Sequence, residues 1–371
     1  MKFKRSLKNK GIQKHNMLII MVTIMCIFMS CEKEPTPISP VSLISLAEEA
    51  YIFGLPLVTM DITRRQATNV AAFQVGTMKA PMNQFANLPV FPDANFTAVI
   101  RPNADTYYST AWLDLSQGPI ILTLPGGNER YHLMEILDAY TNVFAAPGTR
   151  TTDSSGGQFL ISGPGWTGST SGTMIEFKSP TNYVWIIGRT EVKNAVDGAT
   201  VVYPLMQQYT LTPLGSYTPP PLETNVPTGE PNSIVENMPI DEFFNYLNQL
   251  LVNNPLLPAD ESFMKKISKI GIGGGAKFDL SKYSLEEQNE MREIPKNVIA
   301  QLNAYQSKIP IVNGWGIMEN TGSYGTDYFY RAYITRFGLG ANLPEDAIYP
   351  SCVFDGDGKP LNGTNKYYDY F

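Results

Sequence analysis

The chain has 371 residues, a formal net charge of −6, and 43% hydrophobic and 11% aromatic residues. An acidic balance with no basic block beyond the first sixteen residues argues against nucleic acid and anionic lipid surfaces as partners. Two histidines and three cysteines are too few for a histidine-rich zinc or iron site or for a disulfide framework, so no metal or cofactor is expected.

The opening sixteen residues, MKFKRSLKNKGIQKHN, carry six cations and no acid, and an apolar run follows from Met17 to Met29. A basic head, an apolar stretch and a small residue, Ser30, make a secretory signal. The run is shorter than the roughly 20 residues a spanning helix needs. Cys31 comes directly after Ser30, so residues 1–30 resemble a bacterial lipoprotein signal peptide, with Phe28 and Met29 where Leu and a small residue are usual. That resemblance implies acylation of the Cys31 thiol, cleavage before it, and a lipid bilayer as partner. It also implies a membrane-anchored place in the cell envelope, on the periplasmic or the cell-surface face of the outer membrane. Each buried methylene of such an anchor is worth about 0.8 kcal/mol. An uncleaved anchor or an ordinary secretory signal is the alternative. Cleavage removes six cations and takes the net charge from −6 to −12. It also removes His15 and Cys26, leaving Cys352 as the single thiol of the folded part, expected to pack as a small apolar group.

Residues 31–41 contain three prolines and read as an extended tether. Ser45 and Glu48 stand in capping-box spacing ahead of a helix that Gly54 and Pro56 are expected to interrupt. From residue 95 to 192 the period shortens. "NFTAVIR", "TYYSTAWLDL", "PIILTLP", "RYHLMEILD", "GQFLISGP", "TMIEFK" and "NYVWIIGRTEV" are rich in β-branched and aromatic residues and separated by Gly, Pro or Asn. Such spacing predicts an antiparallel sandwich or barrel. A helix is expected through "ATVVYPLMQQY", which closes a β-rich domain over residues 42–215.

Residues 216–239 hold too many prolines for either regular element and read as a linker. A helical block follows over 240–310, with helices at Asp241–Asn253 and after Ser284, where Ser284 and Glu287 repeat the capping box. Residues 311–371 suggest a helix stopped at Gly338 or Gly340, then a strand, a turn and a strand. The fold class is therefore α+β: a predominantly antiparallel first domain, a helical connection and an incomplete β-rich C-terminal piece. "GIGGGAKF" lacks the Lys-Ser/Thr ending of a P-loop, and "DGDGKPLNG" has lysines where a calcium loop needs oxygen ligands, so both read as loops.

"AYIFGLPLVTMDITRRQATN", "RPNADTYYSTAWLDLSQGPIIL" and "ILDAYTNVFAAPGTRTT" resemble the bacterial family called domain of unknown function 1254. "GSYGTDYFYRAYITRFGLGANLPEDAIYPSCVFDGDGKPLNGTNKY" resembles the opening of its usual companion, domain of unknown function 1214. The resemblance implies two β-rich domains with helical additions and no agreed activity. It also implies a companion domain cut short at Phe371, whose hairpin would be left with unpaired edges.

"PNADTYYS" is the densest polar and aromatic stretch. Asn103, Asp105 and Thr106 sit at the mouth of a strand, and alternation puts Thr106, Tyr108 and Thr110 on one face. The family motif matches at Asn103, Asp105, Thr106 and Tyr108. As a site they offer a ligand donors and an acceptor; as bare structure, Asn103 and Asp105 close an Asx turn. "NVFAAPGTRTT" adds Asn142, Arg150 and Thr151, with the Arg150 fork suited to a carboxylate of a ligand or of Asp105. Asp327 with Arg331, and Asp61 with Arg64 or Arg65, have the spacing of simple helix ion pairs.

Three functional readings follow. The first is a lipoprotein binding a small organic or glycan ligand in an aromatic and polar pocket of the first domain. The second is a carboxylate-dependent hydrolase using Asp105 with Asp114 or Asp138, although alternation puts Asp105 and Asp114 on opposite faces. The third is a truncated structural or interaction protein without a site. No G-x-S-x-G elbow occurs, and a serine triad would have to recruit His132.

Overall fold

The computed structural model describes residues 40–91, 103, 105–126, 129–169, 172 and 174–368. The signal, Cys31, nearly all of the tether, and the strand expected at "NFTAVIR" lie outside them. Helix α1 runs unbroken over Pro40–Thr68 with Pro56 inside it. It therefore begins within the expected tether, before the expected cap at Ser45, and passes the expected break. An internal proline costs a helix about 3 kcal/mol, and packing outweighs that cost here. Ala47, Ala50, Tyr51, Phe53, Leu57, Val58 and Ile62 are all almost fully buried, against helices from the second half of the chain. Gly54 admits one of those helices closely: a Cβ there would lie 2.6 Å from the Leu247 side chain. By length and composition α1 is apolar enough to cross a membrane, but its apolar surface is spent on the protein's own interior.

Among the described residues nine strands form two sheets. Strands β1 (Ala86–Asn87), β2 (Thr106–Asp114), β8 (Tyr183–Glu191), β4 (His132–Asp138) and β5 (Val143–Ala145) make the first, in that spatial order. Strands β7 (Ile175–Lys178), β6 (Gly157–Ser162), β3 (Ile120–Leu124) and β9 (Thr210–Pro213) make the second. Every pairing is antiparallel except β6 with β7. The two sheets stay open and face each other as a sandwich, so the barrel alternative falls away. Leu113, Ile136, Val184 and Ile186 of the first sheet meet Ile120, Leu122 and Ile161 of the second.

The opposite face of the first sheet is covered as well. Trp112, Leu137, Trp185 and Ile187 pack with Met60 of α1. A sheet covered on both sides has no solvent face, so successive residues are buried whichever way they point. This is why all nine residues of β2 are buried and why "TYYSTAWLD" shows no inside–outside alternation.

Helix α2 (Ala195–Met206) contains a wider π turn over Gly198–Val202. The expected linker includes a short helix, α3 (Pro231–Glu236). Its proline sits in the first turn, where no backbone donor is needed, so the abundant prolines did not forbid it. Helices α4 (Ile240–Asn253), α5 (Glu261–Ile267) and α6 (Leu285–Tyr305) follow, and Ser284 and Glu287 form the expected capping box on α6. The glycine loop after Ile270 is held by the buried Asn248 amide, which donates to Gly271 and Ala276 carbonyls. Strands β10 (Ile311–Val312), β11 (Trp315–Ile317) and β12 (Pro350–Ser351) make a small third sheet. Helix α7 (Tyr328–Gly338) stops where its first glycine predicts. Asp327 caps α7 by accepting from the Tyr330 N–H, and Arg331 donates to the Gly325 carbonyl. That expected ion pair is thus replaced by two backbone bonds, whereas Asp61 and Arg64 do pair at 2.7 Å.

Candidate functional site

At one end of the first sheet the helix-facing side is not filled. A cavity of about 560 Å³ lies there. Its floor follows from strand alternation: Thr106 and Tyr108 of β2 and Arg189 and Glu191 of β8 point to the same side. Asn103, Asp105 and Tyr131 complete the rim. The roof is the end of α7 and the segment after it, including Phe337, Gly340, Asp346 and Tyr349. Gly340 has φ +81°, and a Cβ there would stand 2.5 Å from Ile187, so the roof chain presses onto the sheet just beside the opening.

Asn103 performs the turn role and a second one. Its Oδ1 accepts from the backbone N–H groups of Asp105 and Thr106, at 2.9 and 2.8 Å, and from the Thr106 hydroxyl at 3.0 Å. Its own N–H and side-chain amide donate to the Tyr108 hydroxyl at 3.0 and 2.8 Å. With both lone pairs engaged, Tyr108 can still donate its proton to a third group.

Arg189 lies opposite Tyr108 in register, its guanidinium 5.8 Å from that ring centre. It also reaches the Tyr349 hydroxyl. Its Nε–H has no acceptor among the described residues. Beside it, on β4, is Glu135, with no exposed surface and with neither carboxyl oxygen bonded by any described residue. Burial pushes the Glu135 carboxyl up to about 8; Arg189 pulls it down and Asp346 pushes it up further.

Arg150 does not meet Asp105. It holds Asp346 with two bonds, Nε at 2.7 Å and Nη2 at 2.5 Å, and so ties its loop to the cavity roof. Asn142 and Thr151 lie apart from the cavity lining. Asn142 donates from its amide to Asp138 at 3.0 Å, and the Thr151 hydroxyl donates to the Ala146 carbonyl. Of the seven sequence candidates, Asn103, Asp105, Thr106 and Tyr108 therefore share one cavity. Arg150 supports its wall, and Asn142 and Thr151 stabilise local turns.

The carboxylates proposed to partner Asp105 are engaged elsewhere. Asp114 accepts from Ser116, and Asp138 from the backbone of Tyr140 and Asn142. Burial raises Asp138 to about 6 against the lowering pull of Asn142. His132 is buried in β4 near the Thr149 hydroxyl, an ordinary sheet residue. Among the described residues no group of three or more His, Cys, Asp or Glu is arranged around a common point.

Arg189, Glu135, Tyr131 and Tyr349 were not singled out from the sequence. The available signal was a charge inside each of two apolar strands, Glu135 in "HLMEILD" and Arg189 in "YVWIIGRTE". Strands buried on both faces leave such charges no route to solvent, so each must face a partner or a cavity.

Residues 82–213 match the family described as "Protein of unknown function (DUF1254)". They contain both sheets of the sandwich. The crystal structure of the VPA0106 protein from Vibrio parahaemolyticus is similar in fold, with a TM-score of 0.60 and 21% sequence identity over 86% of this chain and 73% of that one. A putative uncharacterized protein from Burkholderia cenocepacia aligns over 81% of this chain and 64% of its own, at 11% identity and a TM-score of 0.29. No curated protein matches the chain.

Proposed function

Proceeding from the DUF1254 match, we propose that this chain is a binding protein of the cell envelope that takes a small organic or glycan ligand into the cavity beneath residues 337–349. The cavity itself carries the proposal. At about 560 Å³ it falls within the roughly 300–1,000 Å³ of small-molecule sites, which combine apolar and aromatic walls with a few placed polar groups. Tyr108, Tyr131, Phe337 and Tyr349 supply the rings, and Asn103, Thr106 and Arg189 the polar points.

In the same proposal Cys31 carries the lipid anchor, and the segment from residue 311 onward is the opening of a domain of the 1214 kind. The ligand would then lie between the sandwich and that segment, since the roof belongs to it. A thermal-shift screen with sugars and small acids tests the binding. A ligand should raise the midpoint of the wild type, and Ile348→Trp, which places a bulky ring at an exposed position on the cavity wall, should abolish the rise. No ligand with a shift sensitive to that substitution would sink the reading. Labelling of cells with a fatty-acid probe should mark the wild type and not Cys31→Ser.

A further inference from the structure

The charges around the cavity are unevenly matched. Asp346, whose side chain is 3% exposed, is already held by Arg150. Glu191 accepts weakly from the Tyr131 N–H at 3.4 Å. Arg189 is different. It lines the cavity, lies against the Tyr108 ring, and has a donor left over. Its natural counter-charge, Glu135, stands next to it without a hydrogen bond from any described residue. A guanidinium presents a planar fork that fits a carboxylate with two parallel bonds, and an aromatic face beside it adds to the grip. An acceptor brought in through the cavity would complete what the protein leaves incomplete.

We infer that the ligand is an acid with an apolar or aromatic body, whose carboxylate sits on Arg189 between Tyr108 and Tyr349, and that Glu135 is the internal competitor for the same guanidinium. This inference rests on the reading of the cavity as a ligand site. The volume and the four rings suit the body of such a molecule. Asp105 and Glu191, on the same rim, are placed to take an ammonium group if the acid is a zwitterion.

The arrangement makes binding depend on pH. The groups that face Glu135 are Arg189, Asp346, Tyr131, Tyr324 and Tyr349. With its carboxyl raised to about 8, Glu135 is neutral at neutral pH and leaves the Arg189 charge to the ligand. Above that pH Glu135 ionises, pairs with Arg189, and displaces the bound acid.

Calorimetric titration of the full chain with benzoate, benzamide, benzylamine and L-phenylalanine, at pH 6.5 and pH 9, decides the matter. Benzoate should bind at least tenfold tighter than benzamide at pH 6.5 and lose several-fold, up to about tenfold, on going to pH 9. Arg189→Gln should remove the preference for the acid, and Arg189→Lys should keep part of it. Glu135→Gln, which mimics the neutral carboxyl, should keep benzoate binding and flatten its pH dependence. If Arg189→Gln does not fold, the Glu135→Gln profile carries the test. Tighter binding of L-phenylalanine than of benzoate supports the carboxylate seat and adds the ammonium contact. Benzamide or benzylamine binding as well as benzoate would overturn the anion inference while leaving the cavity as a ligand site. Binding of none of the four probes and of no sugar would overturn that underlying reading too.

Discussion

Trp112 with Trp185 and Tyr108 with Arg189 are facing pairs on the same two strands and the same face of one sheet, four residues apart. The tryptophan end is filled. Its rings stack at 4.7 Å with an interplanar angle of 5°, the Trp185 indole donates to the Thr110 hydroxyl at 2.8 Å, and Met60 of α1 lies in the same cluster. At the other end the Tyr108 ring belongs to the same cluster and is 1% exposed, but a cavity opens beside Arg189. The difference comes from the cover: a regular helix presents a side chain every 1.5 Å, whereas the segment over the other end passes through Gly338 and Gly340 and leaves volume unoccupied. One sheet thus carries a core at one end and a candidate site at the other.

The largest effect should come from emptying the packed end. Trp112→Ala removes a ring that is 4% exposed and should cost about 3–5 kcal/mol, read from the urea midpoint. Ligand binding at the open end should survive at a temperature where the variant is folded. A loss below about 1 kcal/mol would erase the contrast between the two ends.

Next in size is the buried acid. The Glu135 carboxyl stands at about 8 in the folded protein against an ordinary 4.5, so the native state keeps a proton the unfolded chain has released. The Glu135 contribution to stability is therefore greatest below pH 4.5, falls as pH rises, and levels off above pH 8. Glu135→Gln should be free of this loss. Its advantage over the wild type should widen as pH rises between those limits, measured by denaturant melts across pH. A gap that does not change with pH would mean Glu135 is ionised and well paired.

The smallest effect should come from Tyr108→Phe at the open end. It removes the acceptor for two Asn103 donors, which should cost about 1–2 kcal/mol while the ring stays packed. A cost equal to that of Trp112→Ala would show that the open end is as much a core as the packed one.

Much of this was legible along the chain. Strands β2, β3, β4, β6, β7 and β8 were marked by β-branched and aromatic runs between turns, while the short β1, β5 and β9 were not, and the α6 cap was marked by Ser284 and Glu287. Asn103, Asp105, Thr106 and Tyr108 stood out because polar groups crowd the entry to an otherwise apolar strand. Local signals misled at α1, where Pro56 and Gly54 argued for a break and long-range packing overrode them. They also misled at Arg150, whose shape announced a carboxylate partner but not which one; Asp346 lies 196 residues away.

Residue order alone settled the α+β class, six of the sandwich strands and the polar cluster at the start of β2, because period, turn chemistry and capping act over a few neighbours. Only the tertiary structure decided that both faces of the first sheet are covered, that Arg189 and Glu135 stand side by side, and that a glycine-bearing segment roofs them. Those facts depend on which distant parts of the chain meet, and no local pattern encodes the space left between them.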